Sequence, residues 1–191
     1  MPLLELRPLA IKDLDGIVQL DQVCLGGFWS RQSYAQELAK PHHTLLVLAT
    51  LEQIWGCGLT WGIGDELHLV LLMVHPHCRR QGLAGLLLCR LLQLAHQRGD
   101  RQWATLEVRP SNTAALRLYQ QFEFTVVGRR PHYYHHPRED ALILWRNHLN
   151  TAATGVTLGH QWHQWQTRVS RHGWQVVTRP ASEGCLQGEG S

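Results

Sequence analysis

The stretch Val74-His-Pro-His-Cys-Arg-Arg-Gln-Gly-Leu-Ala-Gly85 constrains this chain most, because an apolar strand-like run ends there and a leucine-rich helical run begins. Leu83, Leu86, Leu87, Leu88, Leu91, Leu92, Leu94 and Ala95 cover much of a helix circumference, and Gly99 stops them. A helix that apolar must lie against a sheet. The turn before it is basic and contains glycine. Gly82 and Gly85 let backbone approach a ligand closely, Arg79 and Arg80 supply positive charge, and the helix opens with unpaired N–H groups at its positive end. Such a corner suits phosphate, although the same residues also describe a plain helix start with solvated arginines.

Upstream, Leu3 to Arg7 alternates like a short strand closed by Pro8. Ile11, Leu14, Ile17, Val18 and Val23 follow at mostly helical spacing, and Gly26-Gly27 breaks that helix. Ser30 is placed to cap a second helix running to about Lys40, before Pro41. Thr44 to Leu51 and Ile54 to Ile63 read as strands joined at Glu52-Gln53, and Asp65 to Val74 as a third. Downstream, Trp103 to Val108 is a strand with Leu106 and Val108 on one face and Thr105 and Glu107 on the other. Pro110-Ser111-Asn112 turns into a helix carrying Ala114, Ala115, Leu118 and Phe122. Phe124 to Gly128 and Ala141 to Trp145 are expected as strands separated by a polar, aromatic loop containing Tyr133 and Tyr134.

From Asn150 the character changes. Thr151 to Gly155 reads as a linker, Trp162, Trp165 and Trp174 stand among polar residues, and the last dozen residues are expected to be disordered. The tryptophans fit either a small segment packed on the domain or a partner-binding one. The expected organisation is a body over residues 1–149 and a tryptophan-containing extension over residues 150–191.

The chain has 191 residues, 44% hydrophobic and 17% charged, enough to bury one core. Its 18 basic and 15 acidic residues leave a formal charge of +3 without a basic run, which argues against a nucleic-acid platform. No apolar run approaches the ~20 residues of a membrane span, and the opening Met-Pro-Leu-Leu-Glu has neither a basic n-region nor an apolar h-region. A cytoplasmic protein without a membrane partner is expected. Cys24, Cys57, Cys78, Cys89 and Cys185 are far apart and form no Cys-x-x-Cys pair, which fits reduced thiols. His132, His135 and His136 match no zinc spacing, and no metal is expected.

Two side chains near the basic corner can do chemistry. Glu107 stands between two apolar strand residues, so its carboxylate faces the opposite side, toward solvent or a cleft. Tyr119 lies on the next helix beside Leu118 and Phe122, where its ordinary role is a half-buried phenol with a satisfied hydroxyl. A phosphate corner, a strand carboxylate and a helix phenol can surround one slot.

Arg79-Arg80-Gln81-Gly82-Leu83-Ala84 resembles the Gln/Arg-x-x-Gly-x-Gly/Ala loop of the GCN5-related N-acetyltransferase (GNAT) superfamily, whose backbone N–H groups hold the pyrophosphate of acetyl-coenzyme A (acetyl-CoA). Leu106-Glu-Val-Arg-Pro-Ser-Asn-Thr-Ala-Ala-Leu-Arg-Leu-Tyr119, and Arg130-Pro-His-Tyr-Tyr134 followed by Glu139-Asp-Ala141, are similar to the ribosomal-protein-alanine N-acetyltransferase (RimI type) branch. Phe28-Trp29-Ser30 resembles that branch's Pro-Trp-Ser, and the match covers about Leu4 to Leu149. The resemblance implies an α/β (α+β) GNAT fold, a mixed, mostly antiparallel splayed sheet flanked by helices on both faces, with acetyl-CoA as donor co-substrate in the splay. It also implies that Leu72, Met73 and Val74 offer backbone groups to the pantetheine and thioester, and that Arg80, Gln81, Gly82, Leu83, Ala84 and Gly85 hold the pyrophosphate. Asn112 would contact the cofactor, Glu107 would be the proton acceptor and Tyr119 the proton donor.

The chemistry accounts for those roles. A peptide α-amine with a pKa of about 7.7 to 8.0 must lose a proton before it attacks a thioester, and Glu107 can take it through water. A strand N–H near Met73 or Val74 suits the developing oxyanion, and Tyr119 can protonate the departing thiolate. The resemblance thus implies an N-terminal protein acetyltransferase whose partner is a protein N-terminus, an N-terminal alanine of a small-subunit ribosomal protein. Lysine side chains or small amines as acceptors, and a non-catalytic CoA-binding interaction module, stay open. Three positions depart from the pattern: Ala84 replaces the commoner second glycine, Glu123 stands where the branch has a helix-stopping glycine, and Phe28 replaces a proline. The tail beyond Asn150 has no counterpart in it.

Overall fold

The computed structural model describes residues 1–180. In chain order the elements are β1 Leu3–Pro8, α1 Leu14–Leu25, α2 Arg31–Leu38, β2 His43–Ala49, β3 Ile54–Ile63, β4 Glu66–Val74, α3 Leu83–Arg98, β5 Trp103–Val108, α4 Thr113–Gln121, β6 Thr125–His135, β7 Arg138–Arg146, α5 Ala152–Arg171 and β8 Gln175–Thr178. The strands form one sheet in the order β6-β7-β5-β4-β3-β2-β1-β8. Neighbours are antiparallel except at two places, β4 beside β5 and β1 beside β8. The fold is therefore the expected mixed α/β sheet, mostly antiparallel.

Local chemistry sets the element ends. Ser30 accepts from the Ser33 N–H at 3.1 Å and so caps α2, and Gly99, at φ 75°, closes α3. Between α1 and α2 the chain turns around Asp21, which is fully buried. Its carboxylate accepts from the N–H groups of Phe28 and Trp29, at 2.8 Å each, and from the Tyr34 hydroxyl at 2.7 Å. Those three donors hold Phe28 outward, 66% exposed.

Each face of the sheet has its own core. Helices α3, α4 and α5 pack with Leu4, Leu6, Leu46, Leu48, Leu106 and Val108 on one face. On the other, α1 and α2 pack with Leu45, Val47, Leu59 and Tyr34. Strand β4 changes sides between them. Leu67 and Leu69 belong to the first core, whereas Leu71 and Met73, in the same alternation, belong to the second. The cause is a bulge: adjacent Leu59 and Thr60 on β3 pair with Leu71 and Leu69, leaving Val70 as an extra residue. One inserted residue reverses which face a strand's side chains meet, and it bends the strand.

That bend opens the sheet. Strands β4 and β5 pair only where Glu66, Leu67 and His68 meet Trp103, Ala104 and Thr105. Beyond His68 and Thr105, Leu69–Val74 and Leu106–Val108 share no ladder, and the two strands part toward the turn before α3. This gap is the splay that the sequence resemblance implies.

Two sequence expectations are corrected. The region of Tyr133 and Tyr134 is not a loop: β6 and β7 continue past it as a long hairpin, with Tyr134 opposite Glu139. Its alternation was invisible because almost every residue of β6 is exposed. Thr151–Gly155 is not a linker either. Thr151 accepts from the Thr154 N–H at 3.3 Å and caps α5. Helix α5 then runs back along α3, with Leu158, Trp165 and Val169 in the core, and β8 adds to β1 in parallel. Cys185 and the rest of the tail from residue 181, expected to be disordered, lie outside the described residues.

Candidate active site

Glu107 stands at the floor of the splay and is only 9% exposed. Leu106 and Val108 enter the α3 core, so the alternation of β5 sends the Glu107 side chain to the opposite face. There Oε2 lies 3.1 Å from His68 Nε2 on β4, and Oε1 lies 3.1 Å from Arg130 Nη2 on β6. His68 is held on its other side as well. Thr105 spends its one proton on Glu66 Oε1, at 2.5 Å, so its oxygen accepts from His68 Nδ1 at 3.1 Å. An imidazole that donates at both nitrogens is an imidazolium. Accordingly, the hydrogen bond to Glu107 raises the His68 pKa above its ordinary 6.5, against the opposing effect of burial. The same bond, helped by the charges of His68 and Arg130, holds Glu107 below its ordinary 4.5. The carboxylate is ionised at neutral pH and poised beside a cation.

Tyr119 approaches from the other face. It lies in the α3 and α4 core, its ring edge-on to Phe124 at 5.8 Å. Burial, with a smaller push from Tyr134, raises its pKa far above the usual 10. The hydroxyl makes no hydrogen bond to a described residue, and the residue as a whole is 7% exposed. It is therefore a protonated phenol with a free donor.

A bracket of polar contacts closes the side of the site near β6 and β7. Glu139 accepts from the Ser111 N–H and hydroxyl, at 2.8 Å each. Arg109 donates to Glu139 and to the carbonyls of His136 and Pro137, and its guanidinium lies 3.9 Å over the Tyr134 ring. The turn after β5 and the tip of the hairpin are thus tied together.

The basic corner leaves its backbone donors open. None of the backbone N–H groups from Arg80 to Gly85 donates to a described residue, and the first amide used is that of Leu86, to Gly82. Arg80 and Gly82 take positive φ, 64° and 100°, which turns the chain into α3. Other groups at the corner are already engaged. Leu83 is 1% exposed and its side chain belongs to the core, while Ala84 is half-buried. Gly85 has its missing Cβ space filled by the Trp165 ring. The Gln81 amide donates to the His77 carbonyl at 3.2 Å and accepts from Trp174 Nε1 at 2.7 Å. The Val74 carbonyl accepts from Arg79 and Cys24. Met73 is buried, Leu72 is half-buried at the splay, and Asn112 caps α4 through the Ala115 N–H. What these positions leave for a ligand is mainly backbone.

Sequence reasoning missed His68, Arg130 as a partner of Glu107, Asp21 and the contacts of α5 with the turn before α3, although one of its two readings of the tryptophan segment, packing on the domain, is what Trp165 and Trp174 do. For His68 a signal existed: it is a polar residue in an otherwise apolar strand, in phase with Glu66. Glu123, noted for lacking the expected glycine, does adopt φ 62°, and its carboxylate accepts from Arg146, a fully buried guanidinium, at 3.1 Å.

Comparison with known proteins agrees with this geometry. The model of the acetyltransferase (GNAT) family matches residues 14–124. A putative ribosomal protein bS18-alanine N-acetyltransferase of Bacillus subtilis is 30% identical over 141 residues, 73% of this chain and 92% of the relative. The ribosomal protein bS18-alanine N-acetyltransferase of Escherichia coli K12 is 31% identical over 139 residues, 71% of this chain and 92% of that protein. The crystal structure of the ribosomal-protein-S18-alanine N-acetyltransferase from Escherichia coli superposes with a TM-score of 0.69 at 28% identity, covering 76% of this chain and 94% of that one. At 16% identity, Arabidopsis thaliana NAA60 in complex with acetyl-CoA shares the fold, with a TM-score of 0.68 over 75% of this chain and 98% of its own. A matched sequence family, a splayed sheet and a free-amide turn at the head of α3 together place the chain in the acetyltransferase (GNAT) family.

Proposed function

We propose that the protein transfers an acetyl group from acetyl-CoA to the α-amine of a protein N-terminus, an N-terminal alanine of a small-subunit ribosomal protein. What supports this reading is an ionised Glu107 on β5, where the sheet splays, together with a protonated Tyr119 on the following helix that has no hydrogen-bond partner among the described residues. The alanine and the ribosomal protein rest on the relatives' names.

The residues present fit acetyl-CoA. Six consecutive amides, Arg80 to Gly85, lack a described partner, and the β5-facing edge of β4 from Leu69 to Val74 is unladdered. The amides would hold the pyrophosphate, the Leu72 to Val74 backbone would face the pantetheine, and the bound molecule would supply the thioester. Glu107 then accepts the proton of the incoming ammonium, directly or through water, in the field of His68 and Arg130. Tyr119 returns a proton to the departing sulfur, its pKa kept high by burial so that it stays protonated until that moment. The second proton of the attacking nitrogen would pass, directly or through water, to the Tyr119 phenolate, and Glu107 would give its proton to solvent, so that one proton is released per acetyl transferred.

The test is release of coenzyme A on three short peptides: one with a free N-terminal alanine, the same peptide blocked, and a blocked peptide containing lysine. Turnover on the first alone is expected. Turnover on the third moves the acceptor to lysine side chains, and silence on all three, with acetyl-CoA bound, turns the protein into a binding module.

A further inference from the structure

Arg79, Arg80 and Arg168 gather at the turn before α3. The last comes from α5, outside the residues the family model matches. Its Nη2 donates to the Arg80 carbonyl at 3.3 Å, and its guanidinium lies 5.4 Å from the Trp165 ring centroid. Its methylenes cover Gly82, where an added Cβ would meet Cγ and Cδ at 3.1 Å. Trp174, just past α5, holds the Gln81 side chain from the same segment. The extension therefore grips the turn at Arg80, Gln81, Gly82 and Gly85, and it fixes a cation there.

None of the three arginines forms an ion pair with a described carboxylate. Like charges held together beside six free amides are offset by an anion, and a guanidinium matches phosphate oxygens in geometry as well as charge. Arg168 has five N–H donors and gives one hydrogen bond to a described residue. The stacking on Trp165 and the bond to Arg80 order the side chain in advance, which lowers the entropic cost of binding.

We infer that Arg168, carried by the C-terminal extension, is a phosphate ligand for acetyl-CoA, so that the donor site of this chain is completed by a segment outside the family unit. The inference rests on the reading that the Arg80 to Gly85 turn holds that cofactor. It makes α5 and β8 a functional part of the site, with Trp174 and Gln81 as the latch that sets the register of Arg168.

Calorimetric titration of the full chain with acetyl-CoA tests it. Arg168→Gln should raise Kd about tenfold, the scale of one charge-assisted hydrogen bond to an anion. Arg168→Lys should recover at least half of that loss on a logarithmic scale, because it keeps the charge. The unliganded melting temperatures of both variants should stay within about 2 °C of the parent, as for other exposed substitutions. In steady state, KM for acetyl-CoA should rise while kcat stays. An unchanged Kd in Arg168→Gln overturns the inference and leaves the acetyltransferase reading standing. So does a loss that lysine does not recover or that comes with a lowered melting temperature, since either means a structural clamp. Failure of the parent protein to bind acetyl-CoA overturns both.

Discussion

At the scale of single residues, the unusual feature is a carboxylate that is ionised because it is paired, not because it is solvated. Glu107 touches His68 and Arg130 at 3.1 Å each. Glu107→Gln keeps the shape and removes the acceptor, and Tyr119→Phe removes the donor. Each should lower kcat by about 10² to 10⁴, the usual scale for a positioned acid or base, with acetyl-CoA affinity retained. Full activity in both variants would falsify the assignment. The His68 and Glu107 pair also makes a stability prediction. His68 titrates above 6.5 in the folded chain, so its contribution is complete below that value and is lost as pH rises through the folded pKa. Glu107 titrates below 4.5, so its contribution is present above that value and is lost as pH falls through the folded pKa. His68→Gln should therefore cost most stability between those limits and progressively less in alkali, read by urea denaturation across the range. A constant difference at every pH would rule out the charged pair.

Among the elements, β4 and α3 do the positioning. The extra residue at Val70 bends β4 away from β5 and creates the gap, and nothing in Leu69-Val-Leu-Leu-Met73 announces it, because an apolar run looks the same with or without a bulge. Strands Ile54–Ile63 and Trp103–Val108 were legible to the residue, since turn residues bound them closely. The outer parts of β6 and β7 were not, because a hairpin exposed on both faces has no apolar alternation to read. Gly85 shows how one glycine can have a reason in the fold besides the one read from sequence. Its place in the turn suggested close ligand approach, and the structure shows close approach by the Trp165 ring. Gly85→Ala should destabilise the fold by about 1–3 kcal/mol, the range for overpacking a filled site. Chemical denaturation measures it, and an unchanged midpoint would mean that α5 stands off from α3.

For the molecule as a whole, the extension is not an ornament. Leu158, Trp165, Val169 and Trp174 are each 9% exposed or less and join the α3 core. Burying four such side chains is worth about 1.5–3 kcal/mol apiece as an upper figure, which is comparable with the about 5–15 kcal/mol that holds a domain together. We propose that the family unit ends near Leu149 and that it folds stably only with α5 in place. A chain ending at Leu149 should lose its cooperative thermal transition or melt more than about 10 °C lower, as loss of several kcal/mol requires. A melting temperature equal to that of the full chain would make the extension a separate unit. Cys57 and Cys89, buried in the two cores with pKa pushed up to about 12 by burial, should resist thiol reagents in the folded protein and react once it unfolds.

Sequence alone determined most elements of the first 149 residues and singled out the basic turn before α3, Glu107 and Tyr119 as candidates, because periodicity, capping residues and short motifs are local properties that a chain carries in its order of residues. Tertiary structure decided what meets what. The bulge that opens the sheet, the burial and pairing of Glu107 with His68 and Arg130, and the return of α5 to the turn through Trp165, Arg168 and Trp174 join residues up to 93 positions apart. Contacts of that span depend on packing of finished elements, and no local pattern encodes them.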